Sequence, residues 1–231
     1  MFGLKFVDEP SLRGRFYVFR DRLDAGGKLA LKLEKVLGKP LNSLVLAVPA
    51  GGVPVGFMVA RRLGLPLDVL VVRKVQFPWD SEAGFGAVAW DGTVILNRVL
   101  VESLGLTEKQ VEDCVNLTKQ KVFERVRRLR GEKPFPNLKD KIIIVVDDGL
   151  ATGYTMLTAV KVLAKHNPKK VVVATPTASF EAVKLLVSES RVNMVVCLNL
   201  RKTPIFAVAD AYKKWYDLTD EEVLSYLKSF G

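Results

Sequence analysis

The sequence predicts an open α/β fold in which a mostly parallel sheet is flanked by helices. Short apolar runs recur along the chain and are continuous rather than alternating, which is typical of parallel strands covered on both faces. Helical segments separate the later runs, and this repetition of strand, helix and strand favours an α/β sheet. The length of 231 residues suits one well-cored domain. We therefore expect a single domain over residues 1–231, with a helical segment at 1–40 and a C-terminal tail or hood at 199–231 as accessory parts.

The predicted strands and helices follow one another in a regular order. The first strand is expected at the aliphatic run Leu44–Val48, which ends at Pro49 and a pair of glycines. Further apolar runs predict strands at Asp68–Val72, Ile142–Val146, Val171–Ala174 and Met194–Leu198. Helices are expected at Asp21–Leu37, Val53–Leu63, Gly153–Lys165 and Ser179–Ser188.

Two stretches depart from this order. Thr107–Arg130 is a long predicted helix, since Thr107 and Gln110 form a capping-box pattern and Gly131 stops it. Its apolar stripe at helical spacing is typical of core or dimer packing. Gln76–Asn97 contains a proline and several glycines and predicts a loop or ribbon. A segment of that length inside a compact domain is usually functional or mobile.

Composition restricts the cellular setting. The longest apolar runs fall short of the ~18 residues that span a bilayer, and the charged first residues lack the apolar centre of a signal peptide. Cys114 and Cys197 lie far apart without a CxxC pattern, so neither a disulfide framework nor a zinc site is predicted. These features favour a reducing cytoplasm and no membrane partner.

The net charge of +10 raises the question of a nucleic-acid partner. The densest basic cluster lies at the end of the predicted Thr107–Arg130 helix and comprises Arg125, Arg127, Arg128 and Arg130. Cations at a helix C-terminus interact favourably with the helix dipole, which explains the cluster at least as well as RNA contact does. Nucleic acid is therefore not expected as a partner, and a helix-rich RNA binder is retained only as an alternative.

The most informative segment is Ile142–Thr155, where an apolar strand runs into Asp147, Asp148 and a loop of small residues. Ligands of open α/β sheets bind beyond the carboxyl ends of the strands. Two carboxylates there can accept hydrogen bonds from vicinal hydroxyls, which a ribose presents. The loop amides, the hydroxyls of Thr152 and Thr155 and a helix N-terminus can hold a phosphate. The segment thus predicts a cradle for a ribose 5-phosphate.

A purely structural explanation of this segment remains open. Asp, Gly and Thr are ordinary turn and cap residues, so the two aspartates could simply cap the following helix. That explanation does not require two acids together at the end of so apolar a strand. Other phosphate loops fit less well, because the chain has no GxxxxGK[ST] pattern and its Gly51–Gly56 stretch does not match GxGxxG.

The run Asp147–Thr155 resembles the motif of type I phosphoribosyltransferases that binds 5-phosphoribosyl 1-pyrophosphate (PRPP). Residues 16–223 also resemble a group of predicted phosphoribosyltransferases of unassigned substrate, through Phe19–Arg22, Pro49–Val55, Val71–Lys74 and Gly86–Ala89. The resemblance implies that the 5-phosphate binds the loop comprising Gly149, Leu150, Ala151, Thr152, Gly153, Tyr154 and Thr155. It implies that Ala50, Gly51 and Gly52 hold the pyrophosphate, although relatives often carry a cation where Ala50 stands.

The resemblance also implies a catalytic mechanism. A nucleophile, usually a base nitrogen, displaces pyrophosphate from C1 of PRPP, and Mg²⁺ neutralises the leaving group. The expected catalytic residues are Asp147, Asp148, Arg73 and Lys74; the two acids position the ribose and hold Mg²⁺, directly or through water. Arg73 and Lys74 are expected at the carboxyl end of the second strand, near the pyrophosphate. Gln76–Asn97 corresponds to a flexible loop that closes over the site.

The acceptor is left open. Hypoxanthine and guanine enzymes of the family usually carry an aspartate at the position of Ala151, which disfavours 6-oxopurine transfer in that mode. The acceptor pocket is expected at Trp215, Tyr216 and Asp217, where the aromatic rings either stack on a heterocycle or pack the tail onto the core. A PRPP-sensing regulatory or binding protein without turnover is the alternative to an enzyme. Family members are commonly dimers of nucleotide salvage, so a homodimer is expected.

Overall fold

The structure is a computed structural model that describes residues 5–203 and 206–230. Its main sheet contains strands at Phe6–Asp8 (β1), Ser43–Ala47 (β2), Leu67–Val69 (β3), Ile142–Val146 (β7), Lys170–Ser179 (β8) and Met194–Arg201 (β9). These six strands lie in the order β1-β9-β8-β7-β2-β3, and every neighbouring pair is parallel. The predicted open, mostly parallel α/β sheet is therefore confirmed.

A second sheet of three strands is antiparallel and comprises Val72–Phe77 (β4), Asp80–Ala89 (β5) and Val94–Leu96 (β6). The prediction of one strand at Asp68–Val72 was therefore wrong in extent. Leu70 and Val71 connect β3 of the main sheet to β4 of the small sheet, and both are buried. The apolar run is therefore continuous from one sheet to the other, and the sequence does not show where the first strand ends. Most of the predicted loop or ribbon Gln76–Asn97 belongs to this small sheet.

Helices flank both sheets, and most of them begin at caps visible in the sequence. They are Arg22–Leu37 (α1), Gly52–Leu63 (α2), Arg98–Ser103 (α3), Glu108–Arg130 (α4), Tyr154–Ala164 (α5), Phe180–Ser188 (α6) and Asp220–Phe230 (α7). Thr107 and Gln110 form the predicted capping box of α4, and Asp21 caps α1 by accepting from the Asp24 N–H. None of the described helices is long and apolar enough to cross a membrane.

Each face of the main sheet buries its own core because successive residues of a strand point to opposite faces. Ile143 and Val145 of β7 pack on the side of α5 and α6, whereas Ile144 and Val146 pack on the side of α1 and α2. Fully burying such a side chain contributes about 1.5–3 kcal/mol. A third cluster joins α4, α7 and the small sheet around Val122, which is fully buried.

Two accessory regions differ from their sequence-based description. The 1–40 segment contains β1, which pairs with β9, in addition to the predicted helix, because a strand of three residues is too short to show a pattern. Beyond β9, the tail ends in α7, which the sequence analysis did not predict. Phe57 of α2 contacts Tyr226 and Phe230 of α7 at ring-centroid distances of 5.5 and 5.7 Å, so the end of the tail packs on the domain.

The sheet order places two loops side by side. β2 and β7 are adjacent and in register, with Ala47 opposite Val146. Because parallel strands end at the same edge, the loop after β2, residues 48–51, and the loop after β7, residues 147–153, emerge next to each other.

Candidate active site

The acid pair lies directly after β7. The Asp148 N–H donates to Asp147 Oδ1 at 2.8 Å, so the Asp147 side chain is held against the backbone of Asp148. Asp148 is largely buried, and the Tyr212 hydroxyl donates to its backbone carbonyl oxygen at 2.6 Å. The predicted pair is thus placed at the carboxyl edge of the sheet.

Arg22 is a site residue that sequence reasoning missed. Its Nε donates to Asp148 Oδ2 at 2.7 Å, and the two side chains are 8% and 13% exposed. The Arg22 guanidinium also donates from Nη1 to the Tyr216 carbonyl oxygen at 2.7 Å and stacks 3.9 Å from the Trp215 ring centroid. The stretch Phe19–Arg22 was among the matches to the family, but the resemblance assigned it no role. The sequence therefore pointed to this stretch without indicating that Arg22 pairs with Asp148.

The electrostatics of the pair are asymmetric. Burial and the neighbouring Asp148 carboxylate raise the pKa of Asp147 well above its ordinary value. Burial also raises the pKa of Tyr212 well above its ordinary value, so its hydroxyl stays a hydrogen-bond donor to Asp148. Asp148 has Arg22 as its counter-ion, whereas the described residues provide Asp147 with no ion pair.

The predicted phosphate loop is held by the end of β8. The Leu150 N–H donates to the Thr177 carbonyl and the Ser179 N–H donates to the Leu150 carbonyl, both at 3.0 Å. The Ser179 hydroxyl donates to the Ala151 carbonyl at 2.6 Å. Among the described residues, none accepts a hydrogen bond from the backbone N–H groups of residues 151–155. The loop therefore presents a row of free donors at the N-terminus of α5, which is an arrangement suited to an anion.

Glycine is required at two positions where the loops approach each other. A Cβ added to Gly51 would lie 1.8 Å from Asp148 Oδ2, and one added to Gly52 would lie 2.7 Å from the Val146 carbonyl oxygen. The Pro49–Ala50 peptide bond in the same loop is cis. The predicted pyrophosphate loop and the acid pair are thus in direct contact.

Arg73 and Lys74 lie elsewhere than predicted. They belong to β4 in the small sheet, opposite Val88 and Ala87, and not to the carboxyl end of a strand of the main sheet. Arg73 lines a cleft of about 330 Å³ together with Arg125, whose Nη1 lies 3.5 Å from the Pro49 carbonyl oxygen. The cleft therefore adjoins the 48–51 loop, and the role of both basic residues stays a prediction.

The basic cluster at the end of α4 is largely paired within the chain. Arg125 and Arg128 form ion pairs with Asp220, and Arg130 pairs with Asp68. The Arg130 side chain is only 3% exposed, so a solvated helix end describes it wrongly. Asp68 belongs to β3, 62 positions before Arg130, so the sequence of the helix alone does not reveal this partner.

The predicted acceptor residues occupy the side of the site next to Arg22. Trp215 contacts Tyr212 at a centroid distance of 5.1 Å and is 36% exposed, whereas Tyr216 is 55% exposed. Trp215 therefore supports the Arg22–Asp148 pair by packing, and Asp217 lies at the exposed surface. Whether these residues also meet an acceptor stays a prediction.

The donor set suits Mg²⁺ carried by a substrate. Among residues 5–203 and 206–230, no group of three or more His, Cys, Asp or Glu side chains could hold a metal ion by itself. Mg²⁺ is usually bound by one or two carboxylates together with substrate phosphates and water. Asp147 and Asp148 fit that requirement because they supply hard oxygen ligands beside the free amides of the phosphate loop.

Comparison with known proteins agrees with this geometry. The family model "Phosphoribosyl transferase domain" matches residues 21–209. "Putative phosphoribosyl transferase Rv0571c" of Mycobacterium tuberculosis H37Rv is 39% identical over 216 residues, which are 91% of this chain and 46% of that protein. A protein of the same species, strain CDC 1551, gives the same values under the name "Putative phosphoribosyl transferase MT0597". The chain thus spans about half the length of these curated relatives.

A solved structure supports the same assignment. The crystal structure of the protein TT1426 from Thermus thermophilus is 36% identical, with a TM-score of 0.74 and coverage of 92% of this chain and 98% of that one. The family model covers more than half of the chain and includes both site loops and Arg22. The chain therefore belongs to the phosphoribosyl transferase domain family.

Proposed function

We propose that this protein is a Mg²⁺-dependent phosphoribosyltransferase, which transfers ribose 5-phosphate from PRPP to a nucleobase-like ring and releases pyrophosphate. The single observation that carries the proposal is the contact between the acid pair and the 48–51 loop beside a row of free backbone amides. That arrangement offers acceptors for a sugar diol and donors for phosphate groups on either side of it.

The residues act on different parts of PRPP. The free N–H groups of residues 151–155 hold the 5-phosphate, assisted by the hydroxyls of Thr152 and Thr155. Asp148, oriented by Arg22, accepts a hydrogen bond from one ribose hydroxyl. Asp147 lies beside it and accepts from the second ribose hydroxyl. The Gly51 N–H faces the leaving pyrophosphate, whereas the Gly52 N–H already donates to the Val48 carbonyl oxygen at 3.0 Å. The cleft of Arg73 supplies positive charge nearby.

Mg²⁺ neutralises charge on the pyrophosphate when it is bound with the substrate. Asp147 and Asp148 are the residues that hold it, either directly or through water. Because Asp148 is already paired with Arg22, Asp147 is the carboxylate with a free coordination site.

Calorimetric titration with PRPP and Mg²⁺ tests the donor assignment. We expect saturable binding to the wild type, and weaker binding to Asp147→Asn, which keeps the 2.8 Å hydrogen bond from the Asp148 N–H. Asp148→Asn also weakens binding, but it breaks a buried ion pair, so its thermal stability must be measured in parallel. Absence of PRPP binding by folded wild-type protein would sink the proposal.

A sensor without turnover is the second candidate, favoured by Ala50, which places no side-chain cation in the pyrophosphate loop. Pyrophosphate release across a panel of nucleobases and related rings separates the two. Release with any ring identifies an enzyme, whereas PRPP binding without release identifies a sensor.

We also propose a homodimer in the cytoplasm, and sedimentation equilibrium checks the oligomeric state.

A further inference from the structure

A cavity of about 580 Å³ opens beside the phosphate loop. Ala151 and Thr152 form one wall, and the ends of β8 and β9 form the other through Ser179 and Arg201. Phe180 and Phe206 contribute flat apolar surfaces, and Lys202 and Glu181 contribute one charge of each sign. The volume lies within the usual range of about 300–1,000 Å³ for small-molecule sites, and its position next to Thr152 places any occupant beside a sugar phosphate held by the loop.

Arg201 is the unusual residue of this cavity. It is fully buried, and its Nε and Nη2 atoms have no hydrogen-bond partner among the described residues. Its Nη1 donates to the Arg15 carbonyl oxygen at 3.4 Å, and no described carboxylate forms an ion pair with it. A buried guanidinium without a counter-ion costs several kcal/mol, and the other buried arginines, Arg22 and Arg130, both have carboxylate partners.

An aromatic side chain covers the guanidinium. The Phe16 ring centroid lies 3.8 Å from Arg201 Cζ, while Phe16 itself is 54% exposed. The segment that carries it is fastened to β9, since the Gly14 N–H donates to the Leu200 carbonyl at 3.0 Å and Asn199 Nδ2 donates to the Arg15 carbonyl at 2.9 Å. Phe16 therefore packs on the Arg201 guanidinium as a half-exposed side chain, and it is not among the residues that line the cavity.

We propose that this cavity, and not the pocket expected at Trp215, Tyr216 and Asp217, binds the acceptor of the transfer reaction. The acceptor is a flat heterocycle bearing a carboxylate, which Arg201 holds through Nε and Nη2. Two parallel donors of a guanidinium edge match the two oxygens of a carboxylate, and the aromatic walls match a planar ring. The proposal rests on the proposed function, because it takes the ribose 5-phosphate to occupy the neighbouring loop.

The reaction in this arrangement balances without a further reactant. A ring nitrogen of the acceptor forms a bond to C1 of PRPP, and the bond from C1 to the pyrophosphate oxygen breaks. Pyrophosphate leaves with the electron pair. A ring nitrogen that carries a proton, as in orotate, loses it to solvent, whereas a pyridine nitrogen, as in nicotinate, carries none and becomes positively charged. The carboxylate is unchanged and serves only to hold the ring.

The test measures binding of matched rings by calorimetry in the presence of ribose 5-phosphate. The pairs are orotate with uracil, and nicotinate with nicotinamide, which differ in the carboxylate. We expect a carboxylate of at least one pair to bind about tenfold or more tighter than its neutral partner, as charge-assisted hydrogen bonds allow. Equal binding within both pairs, or binding of neither member of either pair, overturns the proposal.

Variants assign the preference to Arg201. Arg201→Gln and Arg201→Lys both abolish it, the second because an ammonium lacks the planar fork. Lys109→Gln, at an exposed position on α4 that does not line the cavity, also removes one positive charge and keeps the preference. Retention of the preference in Arg201→Gln contradicts the proposal. Competition by inorganic phosphate at equal strength also contradicts it, because the cavity then binds anions in general.

The two proposals fail in different ways. If PRPP does not bind to the wild type, the proposed function is wrong whatever the rings do. If PRPP binds to the wild type and to a folded Arg201→Lys variant alike, and no carboxylate preference is found, only the acceptor proposal is wrong. Circular dichroism and thermal unfolding establish that each variant is folded before it is titrated.

Discussion

At the scale of single residues, the site depends on a buried ion pair between distant parts of the chain. Arg22 and Asp148 are separated by 126 positions, and their side chains lie in a largely water-free environment. Two further hydrogen bonds hold the pair in place: the Tyr212 hydroxyl donates to the Asp148 backbone carbonyl, and Arg22 Nη1 donates to the Tyr216 carbonyl. Asp148 is therefore held in one orientation before any ligand arrives.

The unpaired acid predicts a pH dependence of stability. Because the pKa of Asp147 is raised in the folded protein, the fold binds this proton more tightly than the unfolded chain does. The resulting stability is present below the ordinary carboxyl pKa of about 3.9 and is lost as pH rises through the folded-state pKa. Asp147→Asn removes this loss, so its melting temperature should exceed that of the wild type increasingly as pH rises.

Thermal unfolding from acid to neutral pH measures this difference. Parallel curves for wild type and Asp147→Asn, with no growth of the gap, contradict the assignment of the raised pKa to Asp147. Glu181→Gln, which changes an exposed carboxylate on α6, is the control and should follow the wild-type curve.

A second residue-scale prediction concerns the contact between the two loops. In Gly51→Ala the new methyl group meets the Asp148 carboxylate at 1.8 Å, so one of the loops must shift. We expect a loss of about 1–3 kcal/mol in the free energy of unfolding from overpacking, together with weaker PRPP binding. Chemical denaturation and calorimetry measure the two effects.

Gly27→Ala is the matched control for this substitution. Gly27 lies within α1, and an added Cβ there meets only Met58 Cε at an ordinary distance of 3.8 Å. Alanine inside a helix is more stable than glycine by about 0.5–1 kcal/mol. The control should therefore gain stability and bind PRPP as the wild type does, and equal PRPP affinity of Gly51→Ala and Gly27→Ala counts against contact between the loops.

At the scale of elements, the sequence predicts features that depend on residues close together in the chain better than features that depend on contacts between distant segments. The capping box and the buried positions Thr118 and Val122 of α4 follow from its sequence, because caps and helical periodicity involve residues a few positions apart. The small sheet was recognised only as a loop or ribbon. Its Val75–Gln76–Phe77 pairing is irregular, so no regular alternation of apolar residues marks these strands.

The cap of α4 provides an element-scale prediction. Thr107→Ala removes the side chain that accepts from the Gln110 N–H and should lower the free energy of unfolding by about 1 kcal/mol. PRPP binding should not change, because the Thr107 hydroxyl bonds only to Gln110 among the described residues. Lys109→Ala, at an exposed position in the same turn, should change stability by less than about 0.5 kcal/mol. A loss of equal size in both variants, measured by denaturant unfolding, contradicts the capping argument.

At the scale of the whole molecule, the parallel sheet joins two cores and brings the site loops together at one edge. β2 and β7 are central strands buried on both faces, so the loops that follow them start from fixed positions. The end of the tail is fixed too, through Asp220 with Arg125 and through Val223 in the third core cluster. A ligand that contacts several of these loops should therefore stabilise the fold as a unit.

Ligand binding supplies the whole-molecule prediction. PRPP with Mg²⁺ at 100 times its Kd should raise the free energy of unfolding by about 2.7 kcal/mol through mass action. Ribose 5-phosphate lacks the pyrophosphate that the 48–51 loop would hold and should stabilise less at the same concentration. Differential scanning fluorimetry gives both shifts, and an equal effect of Mg²⁺ alone counts against specific binding of PRPP.

The sequence by itself determined the parallel sheet, most of its helices and the acid pair with its loop, because apolar runs, caps and the motif are properties of neighbouring residues. Only the tertiary structure decided that Arg22 is the partner of Asp148, that β4 leaves the main sheet, and that Arg201 is buried without a carboxylate partner among the described residues. The physical reason is the same in each case. Ion pairing, sheet membership and burial depend on which distant segments the fold brings together. A pattern of neighbouring residues does not indicate which segments these are.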